Sequence, residues 1–123
     1  MNNILIIEDE DFLIRALKDN LLAEGCFVDV AKNGEEAIER MKGKEPDLIL
    51  LDILMPKSDG FHVLKEIKSH TKWKSVPVII LSNLGEEMVI KQALRAGAND
   101  YFIKSQHPIH EVIKKVKEYL YGK

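Results

Sequence analysis

Glu8 and Asp9 directly follow an aliphatic run, Ile4–Ile7, and Asp52 directly follows another, Leu48–Leu51. Ser82 and Lys104 close two further apolar runs, Val76–Leu81 and Tyr101–Ile103. If these runs are parallel neighbours in one sheet, three carboxylates, a hydroxyl and an ammonium meet at one rim. Carboxylates so placed repel each other unless one is protonated or a cation neutralises them. A hard divalent cation is the natural remedy. Mg²⁺ uses one or two carboxylates, keeps several waters and accepts phosphate oxygens. A lysine and a hydroxyl beside it would neutralise and hydrogen-bond the oxygens of a transferring phosphoryl group. A carboxylate can then be the nucleophile, giving an aspartyl phosphate.

The elements that must position these groups are legible in the hydrophobic pattern. Five strand-length apolar runs stand out: Ile4–Ile7, Phe27–Val30, Leu48–Leu51, Val76–Leu81 and Tyr101–Ile103. The third and fourth are almost continuously apolar, as in strands buried on both faces. Helical spacing separates the runs. Leu13, Ala16, Leu17 and Leu21 share a face, and Asn33 with Glu36 forms a capping box ahead of Ala37, Ile38 and Met41. Val63, Leu64 and Ile67 mark a third helix. Val89, Ile90, Ala93 and Leu94 mark a fourth, ending near Gly97. Pro108 suits the first turn of a fifth, with Ile109, Val112, Ile113 and Val116 inward. Alternation of this kind predicts an α/β fold: (βα)5, doubly wound and flavodoxin-like, with a parallel five-stranded sheet of order 2-1-3-4-5. Ligands bind such sheets beyond the carboxyl ends of the strands, at the switch point. Here that point lies between the first and third runs, so Asp52, at the end of the central strand, is the best-placed nucleophile.

Bulk properties narrow the class. The 123 residues suit one domain, 1–123, with a real core. Hydrophobic residues at 46% and charged residues at 31% argue against disorder. A net charge of −2 gives no reason to expect a general nucleic-acid or membrane surface. The N-terminus lacks the basic segment and long apolar stretch of a signal peptide, and no run approaches the ~20 residues of a membrane span. The lone Cys26 cannot form an internal disulfide, so a reducing, cytoplasmic location is expected, with Cys26 as a small buried hydrophobe.

Four motifs, in order, carry a resemblance: "ILIIEDE", "PDLILLDILMPKSDG", "VPVIILS" and "GANDYFIK". Together they cover essentially the whole chain and resemble the response-regulator receiver domain, the CheY-like family of two-component signalling. The resemblance implies that Asp52 is the phosphoacceptor and that Mg²⁺ is the cofactor. Asp9 would ligate the ion directly, Glu8 would hold it through water, and Asp52 and the backbone carbonyl of Leu54 would complete the protein ligands. Ser82 would bond the phosphoryl group and Lys104 would pair with it. Tyr101 would be a switch whose ring fills the space left when Ser82 moves toward the phosphate. Phosphorylation would bias a surface made by the fourth helix, fifth strand and fifth helix. The donor would be a sensor histidine kinase or histidine phosphotransfer protein. The receiver of the signal would be a downstream effector protein or fused output domain, with no direct nucleic-acid or membrane contact. Such a chain is a signalling phosphoacceptor rather than an enzyme.

Several residues depart from the family pattern or have commoner roles. Ser105 follows Lys104 where the family usually has proline, so the next loop is expected to be shaped differently. Asn83 replaces a small residue and could narrow the approach to Asp52 or donate a hydrogen bond. Leu54 and Leu84 occupy the two positions that tune dephosphorylation and cannot orient a water, which predicts a long-lived phosphoryl state. Glu10 and Asp11 read as support for the first helix, complementing its dipole, outside the metal shell. His107 and His110 read as surface histidines, Trp73 as partial packing over the core edge, and Gly60 and Met55-Pro56 as structural. Two rival readings are an Asp-x-Asp phosphatase with Asp9 as nucleophile and a flavin binder of the same topology. The first lacks the usual Thr or Val at Leu13 and has little room for a cap. The second would need a phosphate-cradling loop where this chain is acidic. A third, a receiver that has lost its chemistry, conflicts with the retention of Glu8, Asp9, Asp52, Ser82 and Lys104.

Overall fold

The computed structural model describes residues 2–55 and 58–122. Its main sheet is built from β1 (Asn3–Ile7), β2 (Phe27–Ala31), β3 (Leu48–Leu51), β6 (Val78–Ser82) and β7 (Asp100–Ile103). A two-residue pair, β4 (Leu54–Met55) and β5 (Ser58–Asp59), forms a separate antiparallel ribbon. The helices are α1 (Asp11–Ala23), α2 (Gly34–Gly43), α3 (Gly60–Ser69), α4 (Glu87–Arg95) and α5 (Ile109–Tyr121). The sheet runs β2-β1-β3-β6-β7 with every pairing parallel. Counting only its five strands, this is the expected order 2-1-3-4-5, and the fold class is the expected doubly wound α/β.

Alternate residues of each strand feed opposite faces, as the twofold period of a pleated strand requires. Leu5, Ile7, Ile49, Leu51, Val78 and Ile80 pack with Ala37 and Met41 of α2, Val63, Leu64 and Ile67 of α3, and Ala93 of α4. Ile4, Ile6, Leu48, Leu50, Ile79 and Leu81 pack with Ile14, Leu17 and Leu21 of α1 and Val112, Ile113 and Val116 of α5. Cys26 is buried in that second layer. Two layers of helix thus hold the sheet flat-side to flat-side, and all the strands' carboxyl ends open on one rim.

Some details differ from the sequence reading. The fourth run enters the sheet at Val78, not Val76. Pro77 has no N–H to give the ladder, although its carbonyl accepts from Ile49 N–H at 2.9 Å. Pro108 caps α5 rather than entering its first turn. Leu94 is exposed and Ala93 is the one buried residue of α4. Trp73 is buried and stacks on His70 at 3.7 Å, a tighter seat than the core-edge packing expected. His107 is half-buried rather than on the surface, with its ring edge-on to Phe102. The Asn33 side chain accepts from Glu36 N–H at 2.8 Å, while the Glu36 carboxylate returns to Lys32 N–H at 3.4 Å, one residue early for a capping box. Gly60 is required by close approach, since a Cβ there would sit 2.3 Å from Ile53 Cα. Pro56 of the Met55-Pro56 reading lies outside the described residues.

Candidate functional site

The register β1 Ile7 to β3 Leu51 makes Glu8 and Asp52 leave the sheet side by side. Asp52 N–H donates to the Ile7 carbonyl at 2.9 Å, and Glu8 N–H donates to the Ala31 carbonyl at 3.0 Å, fixing both exits. β6 brings Ser82 to the same rim, and β7 brings Lys104, whose N–H donates to the Ser82 carbonyl at 2.9 Å. Glu8, Asp52 and Ser82 are 2%, 4% and 0% exposed, and among the described residues they are the only buried polar or charged side chains. Buried polar groups are costly unless paired, so their convergence on one rim marks a site rather than a packing accident.

Lys104 Nζ lies 2.8 Å from Glu8 Oε1, 3.1 Å from Asp52 Oδ2 and 3.4 Å from Glu10 Oε2. Glu8 Oε2 accepts from the N–H groups of Asp9 at 3.1 Å and Glu10 at 3.2 Å. Asp52 Oδ1 accepts from Leu54 N–H at 3.0 Å. Burial pushes the Glu8 carboxyl up to about 7, the Asp52 charge adds to this, and Lys104 opposes it. Burial alone would lower Lys104, but the close Glu8 carboxylate and the Asp52 charge outweigh it and raise it above its ordinary value.

The donor set suits a hard divalent cation. Glu8, Asp9 and Asp52 each present a carboxylate oxygen, all within 4.8 Å of one another. Glu8 Oε1 is buried and close to Lys104, yet no well-aligned hydrogen bond satisfies it. Three carboxylates to one lysine leave excess negative charge at this rim, and an all-oxygen cluster of that kind fits Mg²⁺ chemistry.

The other expected residues fall around this centre. Ser82 Oγ accepts from Leu84 N–H at 3.2 Å. Tyr101 packs inward and its hydroxyl donates to the Leu84 carbonyl at 2.6 Å, while burial raises its phenol above the ordinary value. Leu54 is 60% exposed beside Asp52, and Leu84 is half-buried. Asn83 is exposed, and its side chain makes no hydrogen bond among the described residues. After Lys104, the turn is held by the Gln106 and His107 N–H groups on the Ile103 carbonyl and by His107 Nδ1 at 3.1 Å from Ile103 N. Asp11 opens α1 and pairs with Lys32 at 2.6 Å, away from Lys104. Glu10 is different. It caps α1 through its backbone, but its side chain turns back onto Lys104. An exposed acid in a helix-start pattern carries no local signal that it will reach a lysine 94 positions later.

Comparison with known proteins agrees with this fold. Residues 4–117 match the response regulator receiver domain. The chain is 39% identical over 117 residues to the transcriptional regulatory protein ResD of Bacillus subtilis, covering 95% of this chain and 47% of ResD. It superposes on a two-component response regulator from Clostridium difficile with a TM-score of 0.89 at 32% identity, covering 98% of this chain and 96% of that one. The phosphorylated cyanobacterial phytochrome response regulator RcpA gives a TM-score of 0.86 at 32% identity, covering 99% and 96%. The chain therefore belongs to the response regulator receiver domain family, a class of signalling domains rather than classical enzymes. It spans about half the length of the curated relatives it matches. No described helix is long and apolar enough to cross a membrane.

Proposed function

We propose that this chain accepts a phosphoryl group on Asp52 from a phosphohistidine of a sensor histidine kinase or phosphotransfer protein. The observation that carries the reading is the convergence of the buried Glu8, Asp52 and Ser82 on Lys104 at the sheet's switch point. An oxygen of the Asp52 carboxylate attacks phosphorus. The new P–O bond forms as the P–N bond breaks, and the electron pair stays on the donor imidazole. Lys104, already 3.1 Å from Asp52, neutralises charge on the transferring oxygens, and the Ser82 hydroxyl donates to one of them. Asp9, Asp52, the Leu54 carbonyl and, through water, Glu8 would hold Mg²⁺, which supplies further positive charge there. The RcpA relative, solved phosphorylated, supports this chemistry by likeness.

In this reading Tyr101 couples the site to its surroundings. Its hydroxyl and Ser82 Oγ both engage Leu84, so movement of Ser82 toward a phosphoryl group changes what holds the ring. The surface of α4, β7 and α5 then shifts and controls a partner or output domain. ResD is a transcriptional regulator, which favours an output domain of that kind, acting in the cytoplasm. Leu54, whose N–H donates to Asp52, and Leu84, whose N–H donates to Ser82 Oγ, carry no side-chain group to orient water, which favours a long-lived phosphoryl state.

The test is intact mass after incubation with Mg²⁺ and a small acyl phosphate. The parent gains one phosphoryl group and Asp52→Ala gains none. No gain in the parent, or equal gain in both, overturns the assignment.

A further inference from the structure

Two grooves flank α3 on the sheet face that α2, α3 and α4 cover, and their charges are opposite. The groove between α2 and α3 is lined by Glu35, Glu39, Asp59 and Glu66, with Lys42 as its lysine. The groove between α3 and α4 is lined by Lys65, Lys91 and Arg95 with Met88, Gln92 and Ala96, and holds no acid. Local pairing leaves much of this charge unspent. Glu39 pairs with Lys42 and Lys91 with Glu87, each on its own helix. Among the described residues, Glu35, Lys65 and Arg95 have no ion-pair partner. Each groove also carries apolar surface: Ile38 is half-buried in the acidic one, and Met88 is 79% exposed in the basic one.

An acidic stripe and a basic stripe on either side of one helix make a self-complementary face. A twofold axis lying in the contact plane and parallel to α3 exchanges left with right. It therefore sets each acidic groove against the partner's basic groove, and does so twice, as an isologous contact requires. Any acidic ligand would satisfy only the α3–α4 groove; a second copy satisfies both. We propose that this chain self-associates through its α2-α3-α4 face, with Glu35 and Glu39 of one copy facing Lys65 and Arg95 of the other. Exposed ion pairs contribute little each and are screened by salt. The association is accordingly weak and salt-sensitive, with Met88 supplying an adaptable apolar contact.

The test is sedimentation velocity of the parent over a concentration series reaching millimolar, at low and high salt, with two charge-reversed variants. K65E/R95E makes both grooves acidic and E35K/E39K makes both basic. The parent forms a dimer at low salt that is lost at high salt. Each variant alone is monomeric, and their equimolar mixture restores the dimer. K18E/K114E carries the same net change as K65E/R95E on α1 and α5; alone it still dimerises, and all three variants keep the parent's circular dichroism. A parent that stays monomeric at low salt, a dimer that persists in either variant, or a mixture that fails to restore it overturns the proposal.

Discussion

Glu8 is the residue on which the site's electrostatics turn. Its folded pKa of about 7 lies above the ordinary 4.5 because burial disfavours its charge. The stability it contributes is therefore fully present below about pH 4.5 and is lost as pH rises through about 7. Lys104 stays charged across that window, because its partners hold it above an already high value. A divalent cation needs the charged carboxylate, so binding below pH 7 expels a proton. Two results are expected: melting of the metal-free protein falls between pH 5 and pH 8 and recovers with Mg²⁺, and calorimetric titration near pH 6.5 releases protons. Mg²⁺ binding whose heat is independent of buffer ionisation at that pH contradicts this. Leu54 and Leu84 carry a second prediction: after donor removal the phosphoryl group outlasts minutes, and a half-life of seconds contradicts it. Gly60 carries a third. A methyl group there meets Ile53 backbone 2.3–2.8 Å away, which cannot yield as a flexible side chain would. Gly60→Ala should lose about 1–3 kcal/mol of stability in urea unfolding.

Elements differ in how firmly they are seated. α3 buries Val63, Leu64 and Ile67 and α5 buries Val112, Ile113 and Val116, whereas α4 buries Ala93 alone. Amide exchange should therefore be faster in α4 than in α3 or α5, since few buried contacts mean low local stability; equal protection would count against a loosely held α4. The same elements show what was legible in the sequence. β3 and β6 could be read because burial on both faces leaves an unbroken apolar run, and the alternation of such runs with helical spacing leaves few topologies. The ribbon Leu54–Met55 with Ser58–Asp59 could not, because two-residue strands have no period to detect. Val76 read as strand because it is apolar, but its N–H donates to the Trp73 carbonyl and its carbonyl accepts from Lys68 Nζ, which takes it out of the ladder. Leu94 read as inward from spacing alone, yet the helix sits too lightly on the sheet to cover it.

At the scale of the molecule, the parallel sheet explains why the candidate set was legible and its fine structure was not. Strand ends follow from topology, so Glu8, Asp52, Ser82 and Lys104 could be placed on one rim from sequence. Side-chain reach does not, so Glu10 on Lys104 and the amides of Asp9 and Glu10 on Glu8 emerge only from the fold. Switching is a whole-molecule claim. Backbone NMR shifts on phosphorylation should concentrate in α4, β7 and α5, with α2 and β2 little changed; shifts confined to the Asp52 loop would contradict it. The central claim is that Asp52 is the phosphoacceptor. The most direct test is borohydride trapping of the phosphorylated chain, which reduces an acyl phosphate to an alcohol, followed by peptide sequencing. The account predicts homoserine at position 52, dependent on Mg²⁺ and abolished by Lys104→Ala. Homoserine at position 9, or a modification on a serine or histidine instead, would contradict it.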